Sequence, residues 1–147
     1  MNTYKGFFKP KNPHKYRGDR NNIIYRSRWE LRVMMFLDDH PDVITWGSEE
    51  VIVPYKSPID GRWHRYFVDF VVTKINKDGV KETSLIEVKP ASQTVPPQVS
   101  NKKTKRYITE VTTWGVNQAK WAAAEKFCRQ KGWTFHIFTE KELGLKF

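Results

Sequence analysis

Apolar positions along this chain change their period several times, and each change marks an element. Between Ser27 and Pro41 they recur at helical spacing, with Val33, Met34 and Leu37 on one stripe that also carries Glu30. A second row at Trp29, Val33 and Phe36 widens the face this helix is expected to bury. Ser27-x-x-Glu30 has capping-box spacing, and Asp38-Asp39-His40-Pro41 is a stop. Val51–Tyr55 is apolar and β-branched and reads as a strand, followed by a turn at Ser57-Pro58-Ile59-Asp60-Gly61. His64–Thr73 and Thr83–Val88 read as two more strands. The Asp-Gly in Asn76-Lys77-Asp78-Gly79 is a hairpin signal, so these two are expected side by side and antiparallel.

Residues 90–104 form a polar loop in which Pro90, Pro96 and Pro97 exclude a helix or a central strand. The loop runs into a basic cluster of Lys102, Lys103, Lys105 and Arg106. Tyr107, Val111 and Trp114 are spaced for a short helix, which the β-branched residues around them weaken. A better helix runs from Val116 to Lys131, alanine-rich and closed by Gly132. Trp133–Phe138 reads as a strand, and Thr139-x-x-Glu142 opens a last helical turn. The pattern predicts an α/β fold, a mixed central sheet flanked by the Ser27–Asp39 and Val116–Lys131 helices.

Residues 1–22 follow neither period. Lys5, Lys9, Lys11, Lys15, Arg17 and Arg20 face only Asp19, among glycines, prolines and asparagines. This reads as an extended basic N-terminal arm ahead of a domain at 23–147. Its aromatics, Tyr4, Phe7, Phe8 and Tyr16, suit an arm pinned to a surface of this domain or of a partner.

A length of 147 residues fits one domain, and 39% hydrophobic content is enough to fold it. No apolar run approaches the roughly 20 residues a membrane span needs. The single cysteine, Cys128, can form no internal disulfide and no cysteine-built zinc site, and is expected as a small buried residue. A soluble, intracellular domain is expected. With 26 Lys and Arg against 16 Asp and Glu, its formal charge is +10, which favours a nucleic-acid partner through phosphate neutralisation.

The chemistry concentrates in two strands. Asp69 interrupts the apolar run Tyr66–Val72, and Glu87 and Lys89 share one face of the next strand. A hairpin turning at Asp78-Gly79 sets Asp69 beside Glu87. Two like charges so placed repel, and a hard divalent cation resolves the conflict. Lys89 would then assist an attacking water and steady charge on a phosphate. The simpler reading pairs each acid with a basic neighbour such as Arg65 or Lys89. Glu30 has two roles open to it, capping its own helix or joining the site. His64 is either a DNA contact or a surface residue. Gln118 and Lys120 open the Val116 helix, where a helix N-terminus favours phosphate, or are an ordinary solvated turn. Glu49 and Glu50 approach the site or are exposed ion-pair partners. The large aromatics Trp114, Trp121, Phe127, Trp133, Phe135 and Phe138 are read as core.

Asp69 followed by Glu87-Val88-Lys89, with Glu30 on a preceding helix, resembles the PD-(D/E)xK nuclease pattern. Ser27-Arg28-Trp29-Glu30, His64–Phe70 and Asn117-Gln118-Ala119-Lys120 resemble its TnsA endonuclease-like branch. Together with Gly6-Phe7-Phe8-Lys9-Pro10-Lys11-Asn12-Pro13 and Lys15-Tyr16-Arg17-Gly18, the whole chain is similar to the head completion nucleases of T4-like phages. Val68 departs from the family pattern, which usually has proline before the aspartate.

The resemblance implies a restriction-endonuclease-like fold and a magnesium-dependent deoxyribonuclease, cutting internally, from ends or both, with manganese as the other candidate ion. Asp69, Glu87 and Glu30 become metal ligands, and Lys89 joins them as a catalytic residue. Lys102, Lys103, Lys105, Arg106, Gln118, Lys120 and His64 become DNA contacts. It also implies trimming of packaged DNA before head–tail joining, phage head or portal proteins as partners, and a place in the host cytoplasm and the virion. The alternatives are a non-catalytic DNA-binding head protein and a restriction- or transposition-type endonuclease.

Overall fold

The structure, a computed structural model, describes residues 3–144. A four-stranded mixed sheet lies at its centre, built from β3 (Val43–Ser48), β6 (Phe70–Ile75), β7 (Lys81–Val88) and β8 (Thr134–Phe138), in that spatial order. The β3/β6 and β6/β7 pairs are antiparallel and the β7/β8 pair is parallel. A parallel neighbour needs a crossover, and the long helix α2 (Lys105–Lys131) supplies it. Helix α1 (Arg28–Asp39) and the short α3 (Glu140–Leu143) complete the helical set. Among the described residues no helix is long and apolar enough to cross a membrane.

Strand alternation divides the core between the two sheet faces. Phe70, Val72, Ile86 and Val88 pack with α1 residues Trp29, Val33, Met34 and Leu37, while Val71 and Leu85 pack with Trp121, Ala124 and Cys128 of α2. Cys128 is buried, as its position suggested. Ser27 caps α1, accepting the Glu30 N–H at 3.2 Å. Phe36, expected on the buried face, is 57% exposed, because the stripe that packs on the sheet runs through Trp29, Val33, Met34 and Leu37 and leaves it to one side.

Beyond the N-terminal segment, three elements depart from the sequence reading. The run His64–Thr73 is two strands, β5 (Trp63–Phe67) and β6, broken at Val68-Asp69. β5 pairs with β4 (Ile52–Lys56) in a separate hairpin, closed by the expected turn at Ser57–Gly61. Val43–Ser48, unassigned from sequence, is β3. The ladder nevertheless runs on through the break, with Glu49 N–H donating to the Asp69 carbonyl and Val68 N–H to the Val51 carbonyl, both at 3.1 Å. Two long strands therefore bend together, and Glu49 takes a left-handed φ of 55° to let them.

The third departure is α2, one helix of 27 residues rather than two. Thr104 caps it, accepting from the Tyr107 N–H at 3.1 Å. Gln118 and Lys120 thus lie mid-helix, and the N-terminal phosphate argument for them falls away; that position belongs to Lys105 and Arg106.

The N-terminal segment is tied down where it is described. β1 (Thr3–Phe7) pairs antiparallel with β2 (Ile24–Ser27). Phe8 and Tyr16 pack edge-on against the fully buried Trp46, with ring centroids 5.7 and 4.8 Å away. The buried Asp38 carboxylate accepts the backbone N–H of Lys11 (2.8 Å) and of Asn12 (3.3 Å). Lys15 Nζ donates to the carbonyls of Asp38 (3.0 Å) and His40 (2.9 Å), placing its charge at the C-terminus of α1. The side chain of Tyr4 lies outside the described residues.

Candidate active site

Asp69 occupies the bend between β5 and β6. From there its side chain reaches across to β7, where Oδ2 accepts the Val88 N–H at 2.8 Å. The β6/β7 register pairs Phe70 with Ile86, so the next step outward sets Asp69 against Glu87. Glu87 is buried, 5% exposed, on the α2 side of the sheet. Its Oε2 accepts the Trp121 indole N–H at 3.4 Å.

This meeting is felt in the Asp69 carboxyl. Burial, then a hydrogen bond with Glu87 and the Glu87 charge, push it well above the usual carboxylate range. The Val88 N–H pulls the other way, and the Glu30 charge adds to the rise. A buried carboxyl set beside a like charge behaves in this way. Tyr66 of β5 joins them: burial, Glu87 and Asp69 hold its phenol above the ordinary value. Its hydroxyl is buried with no well-formed hydrogen bond among the described residues.

Glu30 takes the capping role considered for it, within the first turn of its own helix. Its carboxylate accepts from the Ser27 hydroxyl at 3.3 Å, within the cap of α1, and its charge still reaches Asp69. Burial raises its own carboxyl, with Glu49 adding to the rise and Ser27 and Arg26 opposing it. Glu49 forms a fork with Arg26 at 3.1 and 3.2 Å, so it borders the site from an ion pair. Lys89 follows β7, its N–H donating to the Phe138 carbonyl at 2.9 Å. The alternation of β7 continued by one residue places it on the Glu87 side.

Charge pairing does not account for the two acids. Among the described residues the ion pairs are Arg26–Glu49, His64–Asp60 and Arg106–Glu110, none of which includes Asp69 or Glu87. No three His, Cys, Asp or Glu side chains among the described residues form a ready metal cage. Two converging carboxylates, with the Tyr66 phenol buried beside them, fit a hard divalent ion that keeps waters and takes phosphate oxygens. Nucleases of this kind generally use divalent metal ions.

The other predicted residues scatter. Lys102, Lys103, Lys105 and Arg106 are exposed before and within the first turn of α2, with Arg106 Nε 3.2 Å from Glu110. Arg106 lines a groove of about 700 Å³ that extends to Trp114 and the buried Asn117, one turn before Trp121. Gln118 is exposed on α2. Lys120 turns inward, its Nζ 5.5 Å from the Tyr66 ring centre and 5.8 Å from that of Tyr55. His64 is held by Asp60 at 2.8 Å near the far turn of the β4–β5 hairpin. Trp121 and Tyr66, one read as core and the other as strand, are contacts the sequence reading missed. Nothing in a helical stripe or an alternating strand distinguishes an indole or phenol that meets a carboxylate from one that merely packs.

A mixed sheet between helices, with one acid at a strand bend and acid-x-lysine closing the neighbouring strand, is the architecture of restriction-endonuclease-like nucleases. Residues 40–140 match the TnsA-like endonuclease N-terminal family, and the chain belongs to that family. It is similar to the head completion nuclease of Enterobacteria phage T4, with 39% identity over 98% of both chains. The protein is a nuclease.

Proposed function

We propose that the protein hydrolyses DNA phosphodiester bonds with a divalent cation, magnesium by preference, held by Asp69 and Glu87. One observation carries this reading: two acids on neighbouring strands meet at the end of an apolar sheet with no ion-pair partner among the described residues. Such a pair is costly in the folded chain unless a cation offsets its charge. A divalent ion bound there lowers the pKa of an attacking water and offsets charge on the scissile phosphate.

The chain's own groups do the positioning. Val88 N–H orients Asp69 and the Trp121 indole orients Glu87, so both carboxylates are pre-set. Glu30 completes the ligand or water shell from the first turn of α1. The Lys89 ammonium, two residues beyond Glu87, steers the water and stabilises charge on the phosphate. Lys102, Lys103, Lys105 and Arg106 hold DNA backbone near the groove along α2, with strong salt dependence and little base readout.

The likeness to a head completion nuclease supports a role in phage head completion, trimming packaged DNA ends before head–tail joining. Head or portal proteins are then its partners, and assembly in the host cytoplasm its setting. The test is nicking of supercoiled plasmid with magnesium or with a chelator. Wild type nicks only with magnesium, and Asp69→Ala, Glu87→Ala and Lys89→Ala each slow it by about 100-fold or more. Equal behaviour of all four proteins would leave only a DNA-binding head protein.

A further inference from the structure

The β4–β5 hairpin has two unlike faces. Direct cross-strand partners lie on the same face, so Ile52 with Phe67, Pro54 with Arg65 and Lys56 with Trp63 make three outward rows. Val53, Tyr55 and Tyr66 face inward and are buried beside α2. Of the six outward residues none is acidic, and all six are exposed. Trp63 is 71% exposed, Phe67 44% and Ile52 42%. The Arg65 guanidinium already lies over the Phe67 ring, 5.5 Å from its centre.

The face is also placed to matter. β5 ends at Phe67, two residues before Asp69, so the aromatic row runs directly to the catalytic bend. From Trp63 to Phe67 the strand covers roughly 13 Å.

We infer that this face is a stacking platform for an unpaired DNA strand, which it leads to Asp69. The inference rests on the nuclease reading only for where the strand goes. Bases in a duplex stack on one another and present no ring faces. An unpaired strand offers both ring faces and phosphates, and it is read by aromatic side chains interleaved with cations. Trp63 and Phe67 supply the rings, while Lys56 and Arg65 supply the charge. Ile52 and Pro54 keep the rows apolar between them. A purely protein-binding face would need neither the absence of acids nor the lead into the site. The preferred substrates are therefore DNA ends with overhangs, flaps and junctions with unpaired arms, ahead of continuous duplex.

The test has a binding arm and a cleavage arm. In chelator, fluorescence anisotropy compares a labelled single-stranded oligonucleotide with a blunt duplex of equal length at one salt concentration. Wild type binds the single strand more tightly, Trp63→Ala loses about tenfold on that strand and little on the duplex, and Trp63→Phe recovers most of the loss. With magnesium, wild type cuts an overhang-bearing duplex faster than a blunt one, and Trp63→Ala removes that excess. Equal wild-type affinity for the two DNA forms overturns the inference. So does an equal loss on both forms in Trp63→Ala, which would make the face a general phosphate contact. No loss on either form assigns the face to a protein partner, and also overturns it. A wild type that prefers the single strand yet cuts nothing overturns the nuclease reading and leaves the platform standing.

Discussion

Replacing Asp69 with asparagine should stabilise the metal-free protein while destroying its activity. Asparagine keeps an oxygen for the Val88 N–H, and its amide can donate to the neighbouring Glu87 carboxylate. What disappears is a like charge at hydrogen-bond contact. Two full charges roughly 4 Å apart at an effective dielectric of about 20 repel by about 4 kcal/mol. The raised Asp69 carboxyl relieves part of that repulsion in the folded protein, so the gain expected from Asp69→Asn at neutral pH is about 1–2 kcal/mol. For a chain of this size that raises Tm by roughly 3–6 °C.

The sign with pH is fixed by linkage. The Asp69 carboxyl is raised in the folded state, so its contribution to wild-type stability is complete below the ordinary carboxylate range and is lost as pH climbs through the raised value. Asparagine does not titrate. The advantage of Asp69→Asn therefore opens on going from about pH 4 to pH 8 and closes on the return. Thermal melts in chelator across that range measure it, with plasmid nicking in magnesium as the companion assay. A variant less stable than wild type by the same margin at pH 4 and pH 8 would refute the account, because the two acids would then not be in conflict.

Three further outcomes follow from particular contacts. Asp38→Ala leaves the Lys11 and Asn12 amides without their acceptor; it should cost about 2–3 kcal/mol in a denaturant melt and open residues 9–20 to limited proteolysis. An unchanged protease pattern would mean that segment is held by other contacts. Mutating Lys102, Lys103, Lys105 and Arg106 together to alanine should lower the slope of log K against log salt by about 2–3, because Arg106 is already engaged with Glu110; an unchanged slope removes this cluster from the DNA path. Trp121→Phe deletes the indole donor to Glu87 but keeps a ring in place. It should slow cleavage about tenfold at a stability cost under about 1.5 kcal/mol, read by nicking and by melting, and full activity would show that Glu87 needs no such anchor.

The sequence disclosed the acid pair because its register is set locally. The Asn76 N–H bonds the Val80 carbonyl at 2.9 Å, and Gly79 takes a φ of +74° in the turn. Each step outward from that closure pairs the next two residues, until Phe70 meets Ile86. A slip of one residue would have sent the acids to opposite faces, so one Asp-Gly turn carries the inference. The break at Val68-Asp69 left no such mark. Both sides of it are β-formers, and the bend arises because β4 and β3 part company at Glu49, a long-range event. The first half of α2 was hidden for the opposite reason. Ile108 and Val111 are 52% and 43% exposed, so no buried stripe announces the helix, and the packed half downstream carries it.

The bend and the turn act jointly on the chemistry. The turn alone would bring Asp69 opposite Glu87 as two ordinary members of a flat ladder, their side chains standing off the same face. At the bend Asp69 gives up a regular place in either sheet, and its carboxylate is free to take the Val88 N–H from the neighbouring strand. Because Val88 is the residue between Glu87 and Lys89, the same bond fixes Asp69 against both. A helix stripe at Glu30 and an indole at Trp121 then approach from the two sides of the sheet. Three chain-distant segments, those of Asp69, Glu87 and Trp121, thus meet where the backbone geometry has already been set, and Asp69→Asn probes that meeting without disturbing it.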